Sequence, residues 1–304
     1  PNRSLMSHST DTHRAFSSVE RLLGLRADEV RAVTLSFFYF FSLLSAYYVL
    51  RPVRDEMGIL GGVDNLQWLF TGTFAVMLLA VPLFGWGSSR FRRKVLVPSV
   101  YLFFIVNLLI FYVLFSSGFG EAWAARAFFI WLSVFNLMVV SVFWSLMSDM
   151  FSSQQGKRLF GIIAAGGSAG AISGPFLTAA LVAPLGTANL MLVSAALLGL
   201  ALCCLWLLLH SQNAVADVSH DAPLQGSVLA GFRLTLSSRY LLGIAAFIWL
   251  YTTLSTFLYF EQAHIVKDAF ASSEERTQVF ALIDLAVNAL TILIQLFIAG
   301  RVMQ

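Results

Sequence analysis

The chain has 304 residues, 58% hydrophobic and only 12% charged, with a formal net charge of +3. An average soluble domain is about 45–50% apolar and about 25% charged, so an ordinary soluble domain is excluded. The small positive charge is orientation information and not a nucleic-acid footprint, because no basic run is interleaved with aromatics in a polar segment.

The apolar residues fall in blocks of about 20, the length at which a helix crosses a hydrocarbon core of ~30 Å. Membrane spans are helices or closed barrels, and barrel strands alternate apolar and polar residues. These blocks do not alternate. The expected fold is all-α, a polytopic helical membrane bundle.

Residues 1–30 are polar. Met6 reads as the natural start, and no basic stretch followed by an apolar core marks a cleavable leader. Ser17-Ser18-Val19-Glu20 has capping-box spacing. Phe16, Val19, Leu22, Leu23 and Val30 then form an apolar stripe, which suits an amphipathic helix on the membrane surface or a soluble cap on the first span.

Eight spans follow, at about 31–50, 66–86, 95–115, 124–149, 159–183, 187–209, 240–260 and 277–299. The polar segment 210–239, with Pro223, divides a six-helix bundle (31–209) from two further spans (240–304). The chain stops on Arg301-Val302-Met303-Gln304, directly after an apolar block, so a piece of a twelve-span protein is expected. Whether a soluble domain follows is open. Cys203 and Cys204 are adjacent in one span and point apart, which suits neither a metal site nor a disulfide.

Lys and Arg near the span ends set the orientation. With the N-terminus inside, 14 of the 19 fall on the inner side, including Arg90, Arg92, Arg93, Lys94, Lys157 and Arg158. The remaining five, Arg51, Arg54, Arg126, Lys267 and Arg276, fall outside. A multi-pass protein of a bacterial inner membrane with a cytoplasmic N-terminus is expected.

Six spans, a longer loop and more spans is the layout of a transporter built from parallel repeats. Residues 41–51 align without gaps on 251–261. Leu44/Leu254 and Ser45/Ser255 are identical, aromatics recur at 41/251 and 47/257, and Arg51 falls opposite Glu261.

The loop between spans two and three reads Gly85-Trp86-Gly87-Ser88-Ser89-Arg90-Phe91-Arg92-Arg93-Lys94. It resembles the major facilitator signature Gly-x-x-x-Asp-Arg-x-Gly-Arg-Arg, with Gly85, Arg90, Arg93 and Lys94 in register, Ser89 for the Asp and Arg92 for the second Gly. The resemblance implies a cytoplasmic charge latch. With its Asp missing, Asp149 with Lys157 or Arg158 is offered as the substitute, and a purely topological role stays open.

In span five Gly166, Gly170 and Gly174 share one face, which lets another helix approach closely, and Pro175 interrupts the ladder. The Gly174-Pro175 pair resembles the glycine-proline motif of major facilitator antiporters. It is read as a static packing surface or a flexing gate.

The end of span one, Leu50-Arg51-Pro52-Val53-Arg54-Asp55-Glu56, resembles the Leu-Arg-x-x-Lys-Asp run of the nucleotide transporter family, the ATP/ADP translocases and their bacterial relatives. Arg54 replaces the Lys, and residues 128–148 lack the acid that family carries in span four. The resemblance implies ATP/ADP-type exchange, with Arg51 and Arg54 gripping phosphate or carboxylate two-pronged. Alternatively they neutralise Asp55 and Glu56 in a wet outer loop.

A charge within a span is costly and points to function. Asp284 is the clearest, with Asn288 one turn on and Gln295 beyond it. Arg126 is offered as its partner, and Asn136 and Asn107 as secondary polar groups. The expected substrate site is therefore Arg51, Arg54, Asp284, Asn288, Glu261, Asn136 and Arg126. The expected gating set is Gly85, Arg90, Arg93, Asp149, Arg158, Gly170, Gly174 and Pro175. No catalytic constellation, metal cluster or phosphate loop is visible, so neither an enzyme nor a cofactor is expected. The partners are an anionic small molecule and the bilayer, with no nucleic acid and a monomer as the working unit. Proton-coupled transport of another solute, or a sensor that binds without transporting, are the alternatives.

Overall fold

The computed structural model describes residues 26, 29–90, 93–118, 120–211, 235–295 and 297. The amphipathic segment expected in 1–30 lies almost wholly outside them, as does most of the loop 210–239. Among the described residues every regular element is helical. They are α1 (Val30–Leu60), a 3-10 turn (Val63–Asn65), α2 (Leu66–Arg90), α3 (Arg93–Ser117), α4 (Glu121–Met150), α5 (Ser153–Leu185), α6 (Leu190–Ser211), α7 (Arg239–Ala269) and α8 (Ser273–Ile294). Eight are long and apolar enough to cross a membrane, and each coincides with an expected span.

Local chemistry sets several ends. Ser152 caps α5 in a reciprocal box with Gln155, and Ser272 does the same for α8 with Glu275. Gly186 ends α5 with φ +80°, a left-handed turn that favours glycine. Pro52, Pro82, Pro98, Pro175 and Pro184 all sit inside helices, as membrane helices tolerate when neighbours satisfy the freed groups.

Two span ends lie well beyond the sequence reading: α7 runs to Ala269, past the expected end near 260, and the end of α1 changes the site. Span one was expected to end near residue 50, with a wet outer loop at Arg51–Glu56 as one of two readings. Instead α1 continues to Leu60, about 46 Å in all at 1.5 Å per residue. Pro52 removes one ladder bond, but Val53, Asp55, Glu56 and Met57 are all buried. Packing of this last stretch outweighs the break.

α1 is the central helix. It packs along α5, α6 and α4, and its far end meets α7 and α8. Its core face carries Tyr39, Phe40, Leu43, Tyr47 and Leu50. The Tyr39 hydroxyl donates to that of Tyr101, and Phe40 stacks on Phe143 with ring centroids 4.1 Å apart.

Lipid tails are as apolar as these side chains, so close backbone approach and polar links bind the helices. Along α5, a methyl group at Gly166 would lie 2.5 Å from the Phe37 carbonyl oxygen. One at Gly170 would lie 2.5 Å from that of Phe41, and one at Gly174 would lie 2.5 Å from Tyr48 Cβ. Phe74, Leu78 and Leu79 of α2 and Phe103 and Ile110 of α3 are exposed, as lipid-facing positions require.

Candidate functional site: a charged seam between α1, α7 and α8

The last three turns of α1 carry Tyr48, Arg51, Arg54, Asp55 and Glu56 toward α7 and α8. Charges buried between helices must be paired to be tolerated, and each finds its partner.

Arg51 reaches α8. Its Nη1 lies 3.2 Å from Asp284 Oδ1, with the Arg51 side chain 34% exposed and that of Asp284 only 8%. The guanidinium also lies 5.8 Å from the centre of the Tyr48 ring, one turn back. The second oxygen of Asp284, Oδ2, is buried and accepts no hydrogen bond.

Arg54 bends back onto its neighbour. Its Nε and Nη2 donate to Asp55 Oδ1 at 3.1 and 2.8 Å, and its guanidinium lies 5.0 Å from the centre of Phe129. The same Asp55 oxygen accepts the hydroxyl of Tyr259, on α7, at 2.9 Å.

Glu56 is fully buried. Arg276 of α8 donates to it through Nε at 2.7 Å and Nη2 at 2.8 Å. Arg276 Nη1 also donates to the carbonyls of Phe270 and Ala271 in the α7–α8 turn, at 3.1 and 3.0 Å. The seam thus sets three guanidinium groups against three carboxylates. Nearby, Gln278 of α8 donates to the Ala179 carbonyl of α5 at 3.2 Å. His264 lies 3.7 Å from Asp64 with both side chains well exposed, a contact worth little.

Of the residues expected in the substrate site, the structure brings together Arg51, Arg54 and Asp284. Arg126, offered as the partner of Asp284, is elsewhere. It donates to the Gly61 carbonyl at 2.7 Å and lies over Trp123, so it caps the free end of α1. Asn288 donates to the Asp284 backbone carbonyl at 2.9 Å, Asn136 is half-buried on α4, and Glu261 is exposed on α7.

The expected gating residues divide in the same way. Gly170 and Gly174 lie in the α1–α5 contact, and Pro175 is buried next to them on α5. A methyl group at Gly85 would meet nothing within 4 Å, so no close helix approach calls for glycine there. Arg90 lies over Trp86, and Arg93 opens α3.

Asp149 lies in the last turn of α4. Arg158, offered as its partner, donates to Glu29 at 2.9 and 3.1 Å. Gln155 Nε2 donates to the same carboxylate at 3.0 Å. Glu29 is buried at the head of α1, ahead of the span. Burial pushes its carboxyl up, but the Gln155 amide, the Arg26 backbone N–H and the Arg158 charge together hold it below the usual carboxylate range.

Sequence reasoning missed Glu56, Tyr259 and Arg276 as seam residues. The available signal was the local charge balance: Asp55 and Glu56 follow directly on an apolar block, and Arg276 is the cation at the head of α8.

Eight long apolar helices, with buried charges paired from one helix to another, are the architecture of a polytopic membrane protein. The family model of the Major Facilitator Superfamily matches residues 31–304, and the chain belongs to that superfamily. It is a multi-pass membrane protein and a secondary transporter of small molecules. No curated protein and no solved structure matches it.

Proposed function

We propose that the chain carries an organic anion across a bacterial inner membrane by alternating access, with its N-terminus in the cytoplasm and the anion held at Arg51. The observation that supports this is the Arg51–Asp284 pair, which joins α1 to α8. Arg51 is the more exposed arginine of the seam and has one carboxylate oxygen at 3.2 Å, so its planar fork can turn to a phosphate or carboxylate. An anion arriving there competes with Asp284 for one cation. Binding and loosening of the α1–α8 contact then become one event, as a ligand must discriminate between two states to shift them.

A nucleotide is the first anion to test, on the resemblance of Leu50-Arg51-x-x-Arg54-Asp55 to the nucleotide transporters, with ATP/ADP exchange as the reaction. The orphaned Asp284 oxygen favours a second reading. Once Arg51 turns to the substrate, a buried carboxylate without a cation is costly, and a proton taken up by Asp284 removes that cost. Transport would then run with a proton instead of by exchange.

The experiment is uptake of labelled ATP and ADP into proteoliposomes holding the full-length protein. It is run with and without preloaded nucleotide, and with and without an imposed proton gradient. Counterflow that vanishes in Arg51→Gln supports nucleotide exchange. Uptake driven by the gradient and lost in Asp284→Asn supports the coupled reading. Nucleotide binding without uptake, in folded protein, supports a sensor and overturns both.

A further inference from the structure

We infer that Arg54 is a positioning residue, which holds Asp55 as the acceptor for Tyr259 and so clasps α1 to α7. This extends the alternating-access reading above but does not depend on which anion is carried or on Arg51 holding it.

Adjacent residues on a helix do not face one another, yet Arg54 folds back so that two of its N–H groups fall on a single Asp55 oxygen. Tyr259 supplies the third donor to that oxygen. The pair is walled by aromatics. Phe129 lies under the guanidinium, and Phe70 touches Phe129, Tyr259 and Phe260 with ring centroids 5.4–5.8 Å apart. Asp55 is 6% exposed.

A solute anion could reach Arg54 only by taking it from Asp55 and lifting it off Phe129. That would strand a buried carboxylate, the costly way to break such a pair. Arg51 is the more accessible of the two, 34% exposed against 17%, and the carboxylate it would leave, Asp284, can be neutralised by a proton as proposed above. The two arginines of one short run therefore have different jobs.

The pair is also suited to a joint that opens. Arg54 and Asp55 ride on the same helix, so they stay together when α7 moves away. What is broken is the Tyr259 hydroxyl bond, the ring contacts, the apolar packing of Ala263 and Val266 in the cluster with Ile59 and Val63, and the exposed His264–Asp64 contact. A hydrogen bond to a charged group is strong enough to bias a two-state equilibrium by roughly tenfold or more, and weak enough to break in each cycle.

The test is the reaction of Ala263→Cys with a membrane-impermeant maleimide, in full-length protein carrying Cys203→Ser and Cys204→Ala. Ala263 is buried in the same apolar cluster as Ile59 and Val63 and is expected to react only when α7 parts from α1. Tyr259→Phe, which keeps the ring packing, is expected to raise the labelling rate about tenfold. Arg54→Gln raises it at least as much, and Arg54→Lys partly restores it. In transport of whichever anion the protein accepts, Arg54→Lys shifts kcat and leaves KM in place.

Labelling that stays at the native rate in Tyr259→Phe while Glu56→Gln accelerates it overturns the clasp. So does an Arg54→Lys variant with raised KM and unchanged labelling. If labelling responds as expected but Arg51→Gln leaves transport intact, the clasp stands and the anion site at Arg51 fails.

Discussion

α1 meets its neighbours in two different ways. Toward α5 the contact is backbone against backbone, where Gly166 and Gly170 leave no room for a methyl group beside the Phe37 and Phe41 carbonyls. Toward α7 and α8 the last turns of α1 add ionic and polar links, in Arg51–Asp284, Asp55–Tyr259 and Glu56–Arg276. Parting α1 from α5 would open a void along a helix with nothing to fill it. Parting α1 from α8 exposes ionic groups that water or a solute can take over. On the alternating-access proposal, α1 keeps α5 and leaves α7 and α8, and α8 must also part from α5, which Gln278 joins at the Ala179 carbonyl.

The sharpest way to break that comparison is to obstruct the welded face. Gly170→Leu should abolish folded protein, read as loss of the monodisperse peak in detergent chromatography, while Gly199→Ala, in open space, should leave it. A folded Gly170→Leu variant would mean that the α1–α5 contact is not obligatory.

On the breakable face the largest effect belongs to Glu56. Removing one partner of a buried bidentate pair costs about 3–5 kcal/mol. Glu56→Gln should therefore open the seam more than Tyr259→Phe, as read by Ala263→Cys labelling. The double variant Glu56→Gln/Arg276→Gln should be milder than Glu56→Gln alone, because no charge is then stranded.

Glu29 with Arg158 is an acid–arginine pair of the same chemistry that lies wholly inside the six-helix part, so it should govern stability and not access. Its carboxyl is held below the ordinary value of 4.5. Its contribution is therefore complete above about pH 4.5 and is lost as the pH falls through the lower, folded value. Thermal unfolding in detergent should show a loss of Tm for the native protein in that acid range. Glu29→Gln should start lower at pH 7 and be flatter there.

The smallest effect is at Thr178, whose hydroxyl donates to the Val49 carbonyl at 3.0 Å. Thr178→Val should cost about 1 kcal/mol of stability, with Thr178→Ser close to native.

The spans were legible because a block of about 20 apolar residues has one physical meaning in lipid. The glycine stripe was legible because a four-residue spacing puts its members on one face. Asp284 stood out as a lone acid within a span. Its partner did not, because spacing on α8 says nothing about which cation on another helix it will meet. Arg126 was offered and Arg51 was not, because the expected end of span one lay before Arg51, whereas α1 runs on past Pro52. The same extension concealed the seam: Arg54, Asp55 and Glu56 look like a solvated loop when their partners, Tyr259 and Arg276, lie more than 200 residues away.

The most direct measurement is the thermal stabilisation of full-length protein by ATP and ADP in native, Asp284→Asn and Arg51→Gln forms. If the anion and Asp284 compete for Arg51, Asp284→Asn binds more tightly than native, Arg51→Gln does not bind, and the double variant behaves as Arg51→Gln. Binding that is the same in native and Arg51→Gln protein would contradict the assignment of Arg51 as the anion's seat.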